Sequence, residues 1–262
     1  MSEHAPQKLR LTPQKRHVQV VHSEQLSPHM QRIVVAGDAL AGFESPSPDD
    51  HIKLFFPNAQ GEFVLPEFTE HGPRYPDGAL PSPTRDYTPR AFDADTHELV
   101  LDFVLHGDGV ASRWAQHAQV GDALVIAGPR GSYVVADDFD AYVLLGDETA
   151  LPAIARRVEE LPEGAVAQVY IEVPEEADRQ ELYSDADVQA SWLERNGFDA
   201  ASSTLLEDVL RDFEAPDGDT FYWIAAESQR ARAMRQFLEE YLHVPSQWIR
   251  ATGYWKADGS AD

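Results

Sequence analysis

The chain of 262 residues contains no cysteine. That excludes disulfides, thiolate zinc sites, cysteine-ligated iron-sulfur clusters and a cysteine nucleophile. No apolar run approaches membrane-spanning length, and the opening MSEHAPQKLRLTPQKR lacks the apolar centre of a secretory signal. The expectation is therefore a cytoplasmic protein without membrane insertion. None of the ten histidines falls into HExxH or a comparable pair, which argues against a built-in metal site. Basic residues are scarce as well: 21 Lys or Arg stand against 45 Asp or Glu, a formal net charge of -24. Such a charge argues against nucleic acid and anionic membrane as partners. The acid is unevenly spread, with 23 Asp or Glu and 5 Arg over residues 133–219, but 5 basic and 2 acidic residues over 230–256. The acidic flank is either a plain solvated face or the mark of a salt-rich habitat.

What is present describes a globular protein of two domains, since 43% of residues are hydrophobic and the length suits two cores. Before about Asp138, short strands alternate with turns: 17–23, 31–37, 51–56, 85–91, 99–107 and 122–128. Six strands predict a six-stranded antiparallel β-barrel over residues 1–138, with one helix starting near Ala111. Beyond it, buried strands at 141–146, 165–173, 220–226 and 247–253 alternate with helical stretches at 150–161, 204–213 and 228–242. That rhythm predicts an α/β parallel-sheet domain over 139–262, with its ligand at the carboxyl ends of the strands. The loop from Asn58 to Pro83, rich in glycine and proline, is either a lid or a surface excursion.

Three stretches carry chemistry. RDYTPR (85–90) crowds Arg85, Tyr87, Thr88 and Arg90 onto one strand, with Arg85 and Tyr87 on one face and Thr88 and Arg90 on the other. A ring, a hydroxyl and guanidinium groups suit a flat anionic ligand such as FAD; an ordinary strand with surface arginines is the competing reading. In HGDGVASRWA a glycine-bearing turn opens a helix whose free N–H groups and Ser112 suit a pyrophosphate, while Trp114 reads as core. In LLGDETALPAI a strand passes through Gly146 into a turn where the N–H groups of Thr149 and Ala150 are offered to a nucleotide phosphate. It is not GxGxxG, so a structural strand-to-helix turn stands beside that reading. Arg230, Arg232 and Arg235 follow the strand at 220–226, as phosphate contacts or as a solvated basic face.

Taken in order, RDYTPR, VLHGDGVASRWA, GDALVIAGPRGSY, GDETALPAI, WIAAES and ATGYWKADG resemble the siderophore-interacting protein family, flavin-dependent ferric-siderophore reductases within the ferredoxin-NADP reductase superfamily. The resemblance runs from about His17 to Gly259. It implies that Arg85, Tyr87 and Thr88, with His106, Gly107, Ala111 and Ser112, bind FAD. It implies that Asp147, Glu148, Thr149, Ala150 and Glu227 meet NAD(P)H. Tyr254 and Trp255 are candidates to cover the flavin, or core. Lys53, Arg130 and Lys256 are candidates to attract an anionic ferric siderophore, or solvated surface charges. Val110 stands where the family usually has proline, and Ala226 where a glycine is common. The implied reaction passes electrons from NAD(P)H through FAD to ferric iron, with no side chain as acid, base or nucleophile. YIEVPEE, acidic after the second strand of the later domain, favours NADH; the arginines at 230–235 favour NADPH; reduced ferredoxin is a third donor. A general flavin or quinone reductase and a non-enzymatic siderophore-binding protein are the rival functions. A monomer is the default.

Overall fold

The computed structural model describes residues 4–69, 72–107 and 109–258. They form two compact units, one of Pro6–Val134 and one from Val135 onward that also takes His4 and Ala5.

The first unit contains β1 (Gln7–Arg10), β2 (Lys15–Ser27), β3 (Met30–Ala36), β4 (Ile52–Phe55), β5 (Glu67–Thr69), β6 (Gly72–Arg74), β7 (Thr84–Tyr87), β8 (Ala91–Asp93), β9 (Glu98–Val104), α1 (Val110–His117), β10 (Ala123–Ala127) and β11 (Gly131–Val134). Seven strands make one antiparallel sheet in the order β7-β4-β10-β2-β3-β9-β8. Its inner face is apolar at alternate positions, among them Val18, Val20, Ile33, Val35, Ile52, Leu54, Leu99, Leu101, Leu124 and Ile126.

The single strand expected at 85–91 is two strands, and they lie at opposite ends of the sheet. Pro89 has no N–H to donate to a ladder, so pairing stops at Tyr87 and resumes at Ala91. Residues 88–90 alone join the two ends and span at most about 14 Å. The antiparallel sheet is thus curled, a half-barrel of seven strands where the sequence predicts a six-stranded barrel. Arg90 is drawn to the β8 end, where its N–H meets Val100 O at 3.0 Å and its guanidinium lies 3.9 Å from Asp102. Asp102, 5% exposed, also receives Arg32 bidentately, both bonds 2.7 Å.

Between Asn58 and Pro83 the described residues include the antiparallel β5–β6 ribbon. Buried Asn58 accepts from the N–H groups of Gln60 and Glu62 and donates to Leu80 O, while Ser82 Oγ accepts from Val64 N–H.

The second unit contains β12 (Ala141–Gly146), α2 (Leu151–Glu160), β13 (Val166–Val173), β14 (Asp187–Glu194), α3 (Leu205–Arg211), β15 (Thr220–Glu227), α4 (Ser228–Glu240) and β16 (Ile249–Trp255). All five strands are parallel in the order β14-β13-β12-β15-β16. Every residue of β12 and β15 is buried, as expected of central strands covered on both faces. Val143, Leu145, Tyr222 and Ile224 pack with Leu206, Leu210, Ala231, Met234 and Leu238 of α3 and α4.

His4 also packs in this unit. The imidazole of His4 bonds Asp138 at 2.7 Å and Asp219 at 2.9 Å, and stacks on Phe139 with centroids 4.1 Å apart. Those two carboxylates hold the His4 pKa above the usual imidazole range. The extra stability is therefore fully present below the unfolded value near 6.5 and is lost as pH rises through the folded value. Replacing His4→Gln should cost about 1 kcal/mol in mildly acid solution and less at alkaline pH, read from urea unfolding across the pH range.

Candidate functional site

In the first unit, the motif strand and the helix meet on one aromatic ring. Tyr87 packs on Phe103 with centroids 4.4 Å apart, and Phe103 in turn contacts Trp114 of α1 at 5.6 Å. Burial pushes the Tyr87 hydroxyl well above the usual tyrosine range, so it stays a neutral donor. Arg85 is exposed, and among the described residues its guanidinium donates only to Thr84 O at 2.7 Å. Thr88 is 8% exposed, between β7 and β8.

Among the described residues no side chain caps the α1 N-terminus, whose positive dipole end suits an anion. Ser112, 1% exposed, uses its hydroxyl oxygen to accept the His106 N–H at 3.0 Å and so folds the preceding turn against the helix. Gly107 sits at φ 41°, a left-handed conformation that favours glycine. Ala111 is buried and His106 exposed. A cationic guanidinium, a phenolic ring and a helix start without a side-chain cap among the described residues fit FAD, whose pyrophosphate and ring need those three features.

Lys53 lies directly across from Asp86 and bonds it at 2.7 Å. It also faces Ala127 on β10, three residues before exposed Arg130.

In the second unit, the strand order reverses between β12 and β15, where an open parallel sheet receives ligands. Gly146 ends β12 beside Ala225. A Cβ there would lie 2.5 Å from Ala150 Cβ and 3.0 Å from Ala225 O, so only glycine lets the turn close onto the sheet. The two N–H groups offered to a phosphate on sequence grounds are already engaged: Thr149 N–H donates to Asp147 Oδ1 at 3.0 Å, and Ala150 N–H to Asp147 O at 2.9 Å. The turn supplies its own anion. Glu227 does the same at α4, accepting from the N–H groups of Gln229 and Arg230 at 2.7 and 3.1 Å.

The same carboxylates clasp the segment that follows β16. Trp255 Nε1 donates to Asp147 Oδ2 at 2.7 Å, Ala257 N–H donates to Glu227 Oε1 at 3.3 Å, and Ser228 Oγ donates to Trp255 O at 3.0 Å. Gly253 permits this approach, because a Cβ there would lie 2.2 Å from Ser228 Oγ. Trp255 is thus pinned at the switch point, and Tyr254 packs edge-on against Trp223 with centroids 6.1 Å apart. Lys256 is half-buried.

Beneath the turn lies an ion network that the sequence reading missed. Glu172, at 0% exposure, receives Arg195 at 3.2 Å and Arg230 at 2.8 Å. Arg195 also grips Glu148 with two bonds of 2.6 Å, and Arg230 grips Glu207 with bonds of 2.9 and 2.8 Å. Arg230 is therefore a buried structural cation, corrected from a candidate phosphate contact or solvated charge. Arg235 holds Glu239 and the carbonyls of Ile249 and Ser246, while Arg232 is exposed. A lone glutamate inside the apolar run AVAQVYIEV was the available signal, since such a charge is buried only when paired.

Burial, and then the neighbouring Glu148 charge, push the Asp147 carboxyl up to about 6, against the opposing donors Thr149 and Trp255. The folded value lies above the unfolded 3.8, so this group's stabilising share is present below about pH 4 and lost as pH rises through about 6. Replacing Asp147→Asn should remove that slope. Urea unfolding of variant and parent near pH 4 and near pH 7 should then show the comparison shifting in the variant's favour at the higher pH.

Comparison with known proteins places these features in a lineage. A Siderophore-interacting FAD-binding domain matches residues 19–133, and a Siderophore-interacting protein domain matches residues 139–258. The chain is 38% identical over 255 residues to the NADPH-dependent ferric-chelate reductase of Escherichia coli, covering 96% of this chain and 97% of that one. It is 31% identical to the ferric vibriobactin reductase ViuB of Vibrio cholerae, covering 90% and 87%. Among solved structures, a siderophore utilization protein from T. fusca superposes with a TM-score of 0.91 at 38% identity, covering 98% and 99%. The siderophore-interacting protein SipS from Aeromonas hydrophila superposes with a TM-score of 0.76 at 29% identity, covering 95% and 99%. With both of its units matched by the family's domains, the chain belongs to the siderophore-interacting protein family.

Proposed function

We propose that this protein is an FAD-dependent ferric-siderophore reductase that draws electrons from NAD(P)H and releases ferrous iron. The observation that supports the reading is the meeting of β7 and α1 on Phe103, whose ring contacts both Tyr87 and Trp114; exposed Arg85 lies two residues before Tyr87, and among the described residues no side chain caps α1. The names of the E. coli and Vibrio cholerae relatives, a ferric-chelate reductase and a ferric vibriobactin reductase, support the substrate class. In this reading the flavin domain spans 1–138 and the nucleotide domain 139–262.

Arg85 holds the FAD pyrophosphate together with the first turn of α1, where His106, Gly107, Ala111 and Ser112 shape the backbone. Tyr87 borders the isoalloxazine ring and Thr88 offers its hydroxyl to the ring edge. Bound FAD supplies the conversion from two-electron to one-electron transfer. Asp147, Glu148, Thr149, Ala150 and Glu227 build the floor of the nucleotide crevice, and their carboxylates suit ribose hydroxyls better than phosphates. Trp255, held by Asp147 and Ser228, and Tyr254, packed on Trp223, put an aromatic pair at the switch point of the second unit. No helix among the described residues is long and apolar enough to cross a membrane, and we place the protein in the cytoplasm as a monomer.

An anionic ferric siderophore must approach a protein of net charge -24. Lys53, bonded to Asp86, and exposed Arg130 in the first unit, and half-buried Lys256 in the second, are the cations this reading assigns to attracting it. The purified protein should show the visible bands of oxidised flavin. With NAD(P)H it should release iron from ferric siderophores, trapped by a ferrous chelator, faster than it reduces quinone or free flavin. Preference for quinone or free flavin would identify a general reductase, and siderophore binding by a colourless protein would identify a carrier. The double variant Lys53→Ala, Arg130→Ala should raise KM for an anionic ferric siderophore by about tenfold with flavin content unchanged.

A further inference from the structure

The carboxyl ends of β13 and β14 are where an open parallel sheet meets the adenosine ribose of a dinucleotide, and where a guanidinium distinguishes a 2′-phosphate from a 2′-hydroxyl. Residues 172–200 hold nine Asp or Glu and two Arg. Both arginines are engaged. Arg195, 5% exposed, lies between Glu148 and Glu172, and Arg179 bonds Glu194. The next cation inward, Arg230, is closed off by Glu172, Glu207 and the carbonyl of Ala200. The network sums to three carboxylates against two guanidiniums, so it has no positive charge to offer. Glu175 and Glu176 stand exposed immediately after β13.

We propose that this rim makes the protein selective for a dinucleotide bearing a free 2′-hydroxyl, so that NADH, not NADPH, is its donor. A 2′-hydroxyl can donate to a carboxylate; a 2′-phosphate brings negative charge to a surface of the same sign. Freeing Arg195 or Arg230 to receive the phosphate would take from Glu172, a carboxylate with no exposed surface, one of its two guanidinium partners and would also release Glu148 or Glu207, and removal of a partner from a buried ion pair is strongly unfavourable. The inference rests on the nucleotide-donor reading above, and it sets this chain apart from the E. coli relative, whose name records NADPH.

The test uses the FAD-loaded protein and two independent readouts: calorimetric binding of NAD⁺ and NADP⁺, and anaerobic bleaching of the flavin by NADH and NADPH. The expected result is a preference for the non-phosphorylated form of about tenfold or more in both, narrowing as salt screens the repulsion. The variant Glu176→Arg, at an exposed position that leaves the buried network intact, should shift the preference toward the phosphorylated form. Equal or tighter binding of NADP⁺, or a ratio unmoved by both salt and Glu176→Arg, overturns the inference while the donor reading stands. Failure of both nucleotides to bind and to bleach overturns the donor reading and the inference together.

Discussion

One missing hydrogen-bond donor organises the first unit. Pro89 has no N–H, so the strand that would close the sheet stops at Tyr87, and the chain crosses to the opposite end before pairing resumes at Ala91. The crossing leaves Thr88 and Pro89 outside the assigned strands, while Arg90 N–H already bonds Val100 O of β9. It sends Arg90 to Asp102, where the neighbouring Arg32 already balances that carboxylate, and leaves Arg85 exposed on the edge strand β7. An antiparallel sheet normally hides or charges its edges; here the edge strand β7 is kept to four residues and carries the exposed Arg85.

The second unit solves a different electrostatic problem. Its sheet carries a carboxylate, Glu172, in the interior, and two guanidiniums bridge it to Glu148 and Glu207. Replacing such a cluster by apolar residues is often neutral or stabilising, so its presence says little about stability. Its effect is on the crevice. It ties the loops after β12 and β14 and the first turn of α4 to the end of β13. The protein's strong acidity is therefore partly internal, and the few cations within it serve as struts.

Most regular elements were legible because burial writes itself into residue order. The runs AYVLLG and TFYWIAA are buried at every position, and such runs between helical stretches specify a central parallel strand. Where burial is partial the signal fades. β14 is an edge strand whose residues alternate only weakly between exposed and half-buried, and β1 is exposed throughout, held by pairing to β11 alone. The family's motifs located the turns around Gly107 and Gly146. They did not show which N–H groups were already engaged, because the Asp147 side chain's return to Thr149 and the Glu227 cap on α4 depend on rotamers that spacing does not specify. Arg230 illustrates the same limit: its partners Glu172 and Glu207 lie 58 and 23 residues away.

The docking of His4 onto Phe139, Asp138 and Asp219 gives the chain an order of assembly. On a ribosome, the sheet of Pro6–Val134 can form while the later unit is still being made, since all its strand partners lie within that span. His4 must wait, because its second carboxylate and the edge-on ring of Trp248 emerge more than two hundred residues later. His4 is thus among the last described residues to settle.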